Sequence, residues 1–178
     1  AMSIGAKPVF VPATRSTGYL PDYAGLPTDM LNRTAAAYIC SPSNPQGAVA
    51  DTGYWRDLIG LAEKHDFKVF ADECYSEIYR DTPPAGALTV AQEMGADPER
   101  VVAFHSLSKR SNAPGLRSGF VAGDAEVLAG FLRYRTYHCC AMPLHHQQAS
   151  IAAWGDETHV IDNRRQYREK FDAVLDAL

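Results

Sequence analysis

Short apolar segments alternate with segments of helical spacing, and this alternation is what most limits the folds open to the chain. The apolar segments lie at residues 34–40, 67–71 and 101–105, and each has the length of one buried strand. After the first of them, Asp51 can cap a helix whose apolar side chains recur on one side. Strands that alternate with helices predict an α/β fold, with a mainly parallel sheet flanked by helices.

The same kind of spacing predicts several further elements. Residues 7–12 and 119–122 are expected to form short strands, and Asp72 can cap a helix over residues 73–79. The other expected helices lie at residues 88–94, 125–137 and 145–154, and from Asp156 onward. The last of these is long and strongly charged, which is typical of a helix with a face turned to solvent.

The composition is that of an ordinary globular protein and narrows the range of partners. The chain has 178 residues, of which 46% are apolar and 21% charged, enough for one domain with a core. A net charge of −4 and the lack of a basic run argue against binding to nucleic acid or to an anionic membrane. No apolar stretch of the sequence has membrane-spanning length.

The spacing of the four cysteines fits neither a zinc finger nor a small disulfide framework. We expect reduced thiols in a cytoplasmic protein. One local group of metal-ligand residue types consists of His138, Cys139, Cys140, His145 and His146. Because neighbouring cysteines cannot easily direct both sulfurs at one ion, we predict no metal site there.

Reactive side chains follow each of the three buried strands. Asn44 follows the first strand, Asp72 and Tyr75 follow the second, and Ser106 and Lys109 follow the third. The carboxyl ends of parallel strands meet at one edge of a sheet, which is where such sheets bind ligands. The sequence therefore predicts a site there that contains an amide, an acid, a phenol, hydroxyls and an amine.

The chemistry of these groups indicates a particular kind of ligand. The amine of Lys109 can form a Schiff base with a carbonyl, although its ordinary pKa of about 10.4 requires that it be shifted or already condensed. An acid such as Asp72 can keep a ring nitrogen protonated. Arg117 can bind a phosphate with two hydrogen bonds, and Ser106 and Ser108 can donate to the same oxygens.

Asn44 and Tyr75 complete the set, because both can donate hydrogen bonds to a phenolate oxygen. An aldehyde, a pyridine nitrogen, a phenolate and a phosphate together describe pyridoxal 5′-phosphate. The sequence therefore indicates this cofactor before any family is considered.

Three motifs carry a resemblance to a known family. They read SPSNPQG, DECY and SLSKRSNAPGLRSG, in that order along the chain. In these motifs the chain resembles the class I/II aminotransferases of fold type I, the aspartate-aminotransferase-like enzymes. The local strings are also similar to those of the N-succinyldiaminopimelate aminotransferases of bacterial lysine biosynthesis.

The resemblance implies a role for each matching residue. Lys109 matches the lysine that binds the cofactor covalently, and Asp72 matches the acid on the pyridinium nitrogen. Tyr75 and Asn44 match the pair on the phenolate oxygen. The implied cofactor-binding residues are Asn44, Asp72, Tyr75, Ser106, Ser108, Lys109 and Arg117, and Lys109, Asp72 and Tyr75 are also implied to be catalytic.

The implied function is transamination of an amino acid with a 2-oxo acid through a ping-pong sequence. N-succinyldiaminopimelate and 2-oxoglutarate are one candidate pair of substrates. Carbon–sulfur lyases and decarboxylases of the same fold use the same cofactor motifs, so both activities stay open. A non-catalytic cofactor-binding fragment or interaction module is a further alternative.

The resemblance also implies a domain organisation. Residues 1–155 match part of the cofactor-binding large domain, and residues 156–178 match the long helix that leads to a small domain outside this chain. The family's stacking aromatic, its glycine-containing phosphate loop and its arginine for the substrate carboxylate all lie outside the matching region. We therefore expect little or no transaminase activity from these 178 residues alone. The resemblance also implies a homodimer when full length, and we expect it to be cytoplasmic.

Overall fold

The computed structural model describes residues 2–96 and 98–178, and its centre is a sheet of four strands. The strands are β1 (Ala36–Cys40), β2 (Lys68–Asp72), β3 (Val101–Ser106) and β4 (Gly119–Gly123). They lie side by side in chain order; β1, β2 and β3 are parallel, and β4 is antiparallel to β3. The predicted mainly parallel sheet is therefore confirmed.

Helices occupy the connections and the carboxyl-terminal part of the chain. They are α1 (Thr28–Leu31), α2 (Thr52–His65), α3 (Ala87–Met94), α4 (Leu107–Arg110), α5 (Ala125–His138), α6 (Leu144–Trp154) and α7 (Thr158–Leu175). Among residues 2–96 and 98–178, no helix combines the length and the apolar character that crossing a membrane requires.

Helix α2 forms as the sequence predicts. Asp51 caps it, because Asp51 Oδ1 accepts a hydrogen bond from the Tyr54 N–H at 2.7 Å. The helix ends where Asp66 takes a left-handed conformation, with φ of 59°. Between these ends, Trp55 and Ile59 are fully buried one helical turn apart. This buried side holds α2 against the sheet.

The core lies between one face of the sheet and the helices α2 and α3. Ile39, Val69 and Val101 project from three successive strands into this core. Trp55 fills its centre, and the indole N–H donates to the Ala85 carbonyl at 3.0 Å. Burying an aromatic side chain of this size contributes about 3 kcal/mol or more to stability, provided that the N–H is satisfied as it is here.

The opposite face of the sheet carries a row of aromatic rings. The ring centroids of Tyr38 and Phe70 are 4.9 Å apart, and those of Phe70 and Phe104 are 6.0 Å apart. Side chains alternate between the faces of a strand, so this face also carries Asp72 and Ser106, where β2 and β3 end. The reactive edge of the sheet therefore adjoins the aromatic face rather than the core.

Two predicted elements are wrong. Residues 7–12 form no strand, and within the described residues they pair with no other strand. A strand is stable only when a neighbour takes up its backbone hydrogen bonds. Residues 73–79 form turns rather than a helix. Asp72 Oδ1 accepts from the Cys74 N–H at 3.1 Å, as a helix cap does. The backbone then closes single turns instead, in which the N–H groups of Ser76 and Ile78 donate to the carbonyls three residues earlier.

A buried ion pair joins the sheet to helix α5. Lys68 forms a hydrogen-bonded salt bridge with Asp124, a residue that is only 2% exposed. Asp124 Oδ1 also caps α5 by accepting from the Val127 N–H at 2.7 Å. The Lys68 ammonium, followed by this N–H, holds the pKa of Asp124 below its usual value.

We predict that Asp124→Asn lowers the free energy of unfolding by about 2 kcal/mol, because it removes a charged hydrogen bond yet keeps a capping residue. The pKa of Asp124 is lowered in the folded state, so the stabilisation is complete above the unfolded pKa of about 3.9. It disappears as the pH falls through the folded value. Urea unfolding from pH 7 down to pH 3 measures both effects.

The control for this prediction is Asp29→Asn, which removes an exposed i,i+4 pair with Arg33. A pair of that kind contributes about 0.5 kcal/mol or less. Equal losses from the two substitutions would contradict the structural importance of the Lys68–Asp124 pair.

Candidate active site

The parallel register of the sheet brings three strand ends to one edge. Cys40, Asp72 and Phe104 lie opposite one another on β1, β2 and β3. The chain leaves β1 into the loop that holds Asn44, and it leaves β3 at Ser106 into the turn that holds Lys109. The sheet thus collects the predicted site residues from distant parts of the sequence.

Asn44 and Tyr75 are in direct contact. The Nδ2 group of Asn44 donates a hydrogen bond to Tyr75 Oη at 2.9 Å. The loop that carries Asn44 contains two cis peptide bonds, Ser41–Pro42 and Asn44–Pro45. Because the Tyr75 oxygen accepts from Asn44, the hydroxyl hydrogen of Tyr75 is available to donate to a ligand.

Lys109 lies on the same side of the site as Tyr75. Its Nζ atom is 5.4 Å from the centroid of the Tyr75 ring. Lys109 belongs to α4, the single turn that starts directly after β3, and Ser106 caps this turn by accepting from the Ser108 N–H at 3.0 Å. The end of the strand therefore determines where the lysine stands.

The two serines expected to bind phosphate are in contact, but the arginine is directed elsewhere. Ser106 Oγ lies 2.9 Å from Ser108 Oγ and 3.3 Å from the Ser118 carbonyl oxygen. Arg117 stands next to Ser118 in the chain, yet its Nη1 donates to the Pro114 carbonyl at 2.9 Å. The structure thus brings the carbonyl of Ser118 to Ser106 and leaves the Arg117 guanidinium exposed on its own loop.

The loop before β4 is fixed tightly against the lysine turn. The Leu107 N–H donates to the Ser118 carbonyl at 3.1 Å, and the buried Ser118 hydroxyl accepts from Ser150 Oγ at 2.8 Å. A Cβ atom on Gly119 would lie 2.4 Å from the His105 carbonyl oxygen. Only glycine permits so close an approach of the two strands, which explains the glycine two residues after Arg117.

Three charged side chains at this edge have no ionic partner. Within residues 2–96 and 98–178, neither Asp72, Lys109 nor Arg117 forms a salt bridge. One anionic group and two cationic groups are therefore left to interact with a ligand. A ligand that offers a protonated nitrogen, a carbonyl and an anionic group matches their charges.

The donor set fits pyridoxal 5′-phosphate. The amine of Lys109 suits an aldehyde, the carboxylate of Asp72 suits a protonated ring nitrogen, and the free hydroxyl hydrogen of Tyr75 suits a phenolate. The adjoining hydroxyls of Ser106 and Ser108 suit a phosphate.

Neutral thiols border the site. Burial raises the pKa of Cys74 to about 12, with a further contribution from the Asp72 carboxylate. Burial, followed by the same carboxylate, also raises the pKa of Cys40. Both thiols are therefore protonated at neutral pH, and neither has the thiolate character that a cysteine nucleophile requires.

A polar cavity of about 290 Å³ lies beside the end of β3, and Ser106 and Cys74 are among the residues that border it. It is bordered by Glu73, His105 and Phe120, among others, and His105 stacks on Phe120 at 4.9 Å. Burial raises the pKa of Glu73 and lowers the pKa of His105, so His105 is neutral at pH 7. The 3.5 Å contact between His105 Nε2 and Glu73 Oε2 is therefore a weak polar contact rather than a salt bridge.

No metal centre is present in the part of the chain that the structure describes, since no group of three or more His, Cys, Asp or Glu residues could hold an ion. In the cluster of histidines and cysteines, the rings of His145 and His146 contact each other at 4.5 Å. The side chain of His138 stacks on Tyr134 at 4.3 Å.

Sequence reasoning missed several residues that support the site. Arg110 is buried beside Lys109, Asn163 contacts the lysine turn from α7, and Ser150 binds the loop of Arg117. The one signal available was the position of Arg110, a charged residue directly after a candidate reactive lysine. Asn163 and Ser150 belong to no motif, and their contacts arise only from the tertiary fold.

A comparison with protein families agrees with the geometry. The model of the family described as aminotransferase class I and II matches residues 1–178. A relative named LL-diaminopimelate aminotransferase, from Syntrophobacter fumaroxidans, is 33% identical over 99% of this chain and 45% of its own length. A relative from Mycobacterium tuberculosis, named a probable aminotransferase, is 36% identical over 81% of this chain and 34% of its own length.

Solved structures give the same result. An aminotransferase from Neisseria meningitidis is 49% identical, with a TM-score of 0.88 over 96% of this chain and 44% of its own. A probable N-succinyldiaminopimelate aminotransferase from Thermus thermophilus is 28% identical, with a TM-score of 0.80 over 90% of this chain and 41% of its own. The chain thus spans less than half the length of these relatives, and it belongs to the family of class I and II aminotransferases.

Proposed function

We propose that this chain carries the cofactor-binding residues of a pyridoxal-phosphate-dependent aminotransferase, which transfers an amino group from an amino acid to a 2-oxo acid. The observation that supports it most directly is the position of Lys109. Its amine lies without an ionic partner in the described chain, beside the hydrogen-bonded pair of Tyr75 and Asn44, at the edge where Asp72 ends β2. The cofactor needs an amine for its aldehyde, a phenol for its phenolate oxygen and an acid for its ring nitrogen, and these three side chains offer them.

When bound, the cofactor supplies a conjugated ring that accepts the negative charge left on the substrate α-carbon after proton removal. Lys109 would hold the cofactor aldehyde through its amine, and once freed by the substrate amine it would move the proton between the substrate α-carbon and the C4′ carbon. Asp72 would hold the proton on the ring nitrogen through its carboxylate.

The remaining residues orient the ring. Tyr75, whose hydroxyl is held by Asn44 at 2.9 Å, donates its hydrogen to the phenolate oxygen. Ser106 and Ser108 donate to the phosphate. Arg117 would join them if its exposed side chain turned from the Pro114 carbonyl to the phosphate.

The proposal extends to the substrate and to the organisation of the protein. Relatives named for LL-diaminopimelate and for N-succinyldiaminopimelate favour a diaminopimelate-type amino donor in lysine biosynthesis. We assign residues 1–155 to the large domain, and residues 156–178, which contain α7, to the segment that leads from it. A cytoplasmic homodimer, which the family resemblance implies, is part of the same proposal.

The alternative activities share the cofactor and differ in what happens after it binds. A carbon–sulfur lyase or a decarboxylase would use the same Lys109 and Asp72, and a non-catalytic module would bind the cofactor without turnover. The names of the relatives favour transamination, since they are aminotransferases. Production of a 2-oxo acid that depends on a second 2-oxo acid separates transamination from the other activities.

We predict that Lys109 is the residue that binds the cofactor. Borohydride reduction after incubation with pyridoxal phosphate, followed by peptide mass mapping, should find the adduct on Lys109, and Lys109→Ala should abolish it. Lys170→Ala is the matched control, because Lys170 also lies over a tyrosine ring, at 5.0 Å from that of Tyr167. An adduct on another lysine, or none with cofactor in excess, would disprove the assignment.

We predict that Asp72→Asn slows transamination about a hundredfold or more, because a neutral ring withdraws charge far less well. The adduct on Lys109 should still form, because the amine is unchanged and the oxygen of the new amide side chain can still accept from the Cys74 N–H. Steady-state formation of the 2-oxo acid by the full-length protein measures the loss, with the exposed Asp81→Asn as control. Near-normal turnover of Asp72→Asn would show that the acid has another role.

We predict a strong preference between the two diaminopimelate donors, because they differ in charge at the distal nitrogen. This nitrogen is a cationic amine in LL-diaminopimelate and an uncharged amide in N-succinyldiaminopimelate. In the full-length protein, initial rates with LL-diaminopimelate and N-succinyldiaminopimelate, each with 2-oxoglutarate, should differ in kcat/KM by about tenfold or more. Equal rates, or no rate with either donor, would contradict a diaminopimelate-specific site.

A further inference from the structure

The short helix that carries Lys109 needs support from outside itself. Helix α4 has only four residues, Leu107–Arg110. Isolated helices of that length are not stable, because a single turn fixes several backbone angles for very few hydrogen bonds. Strand β3 fixes where α4 begins, so something else must fix where it ends.

Arg110 provides one such contact. Its side chain is only 9% exposed and forms a salt bridge with Glu157. It also donates to the Ala153 carbonyl at 2.8 Å, and its guanidinium lies 5.0 Å from the centroid of the Trp154 ring. All three partners lie at the end of α6 and just before α7, so the residue after Lys109 is held by the junction of these helices.

Asn163 of α7 provides a second contact. Its Nδ2 group donates to the Lys109 carbonyl at 3.1 Å and to the Arg110 carbonyl at 3.3 Å. The last carbonyl oxygens of a helix have no N–H donor within the helix and must accept hydrogen bonds from other groups. Asn163 therefore closes α4 at the peptide of the reactive lysine itself.

A third contact reaches Ser111. His159 Nδ1 lies 2.6 Å from Asp156 Oδ2, and His159 Nε2 lies 2.8 Å from Ser111 Oγ. The hydrogen bond from His159 lowers the pKa of Asp156 to about 2, so this carboxylate is charged at neutral pH. The charged carboxylate of Asp156 thereby orients the His159 ring, whose Nε2 contacts the Ser111 hydroxyl.

These contacts act on three successive residues from one direction. We propose that Arg110, His159 and Asn163 form a clamp on α4 that positions the amine of Lys109 for reaction. In a helix, neighbouring side chains project about 100° apart, so the buried anchor at Arg110 directs Lys109 toward Tyr75. The clamp deepens the proposed function, on which it rests, by assigning positioning roles to residues outside the motifs.

The test uses Asn163→Asp in the purified protein. The substitution keeps the size of the side chain, removes both donor hydrogens and sets a carboxylate against two carbonyl oxygens. The readout is the second-order rate constant for reaction of Lys109 with free pyridoxal phosphate, followed by absorbance and assigned by borohydride reduction and peptide mapping. Circular dichroism and urea unfolding establish that the variant is folded under the conditions used.

We expect Asn163→Asp to lower this rate constant by about tenfold or more in folded protein, since small displacements of a reacting group are costly. A purely structural role would lower the stability and leave the reactivity of folded protein unchanged. The matched control is Gln166→Glu, which adds the same charge to an exposed position of α7 where Gln166 donates to Asp162, and it should react like the wild type. If Asn163→Asp does not fold, Ser111→Ala, which removes only the contact with His159, decides the question with an expected loss of about threefold.

The outcomes separate the two proposals. If the wild type does not react at Lys109, the proposed function fails. If the wild type reacts and folded Asn163→Asp, or Ser111→Ala in its place, reacts equally fast, the clamp is disproved while the proposed function stands. An equal loss in Gln166→Glu would also overturn the clamp, because charge on α7 alone would then explain the effect.

Discussion

The parallel register of β1, β2 and β3 is the constraint on which the rest of the structure depends. Because Cys40, Asp72 and Phe104 stand opposite one another, three segments far apart in the sequence leave the sheet at the same edge. A shift of one residue in this register would turn Asp72 toward the core, where its charge would have no compensation. The buried side chains of the core face fix the register and therefore also fix the site.

Local sequence signals predict the parts of the fold that local physics decides. The cap at Asp51 and the apolar runs of the strands give α2 and the sheet nearly to the residue. Residues 7–12 have the composition of a strand, but a strand depends on a partner that composition does not reveal. Residues 73–79 fail for a different reason: Asp72 offers a cap, but the backbone closes single turns, such as the one from the Ser76 N–H to the Glu73 carbonyl, instead of a helix.

The site is predicted to the extent that its residues lie in motifs. Asn44, Tyr75 and Lys109 lie close together, as expected from their positions after the ends of three parallel strands. The orientation of Arg117 could not be predicted, because the turn at Pro114 offers its guanidinium a carbonyl close by. Asn163 could not be found at all, since it is 54 residues from Lys109 and the contact exists only when α7 packs on α4.

Two adjacent cationic residues of α4 differ in whether they have an ionic partner. Arg110 is buried and has an ionic partner, a carbonyl and an aromatic face, as a buried cation must to offset its desolvation. Lys109, one residue earlier, has no salt bridge within the described residues and stands beside the phenol of Tyr75. In the function we propose, Lys109 must stay unpaired to react with the cofactor aldehyde, and the buried contacts of Arg110 would hold the backbone of the same short turn in place.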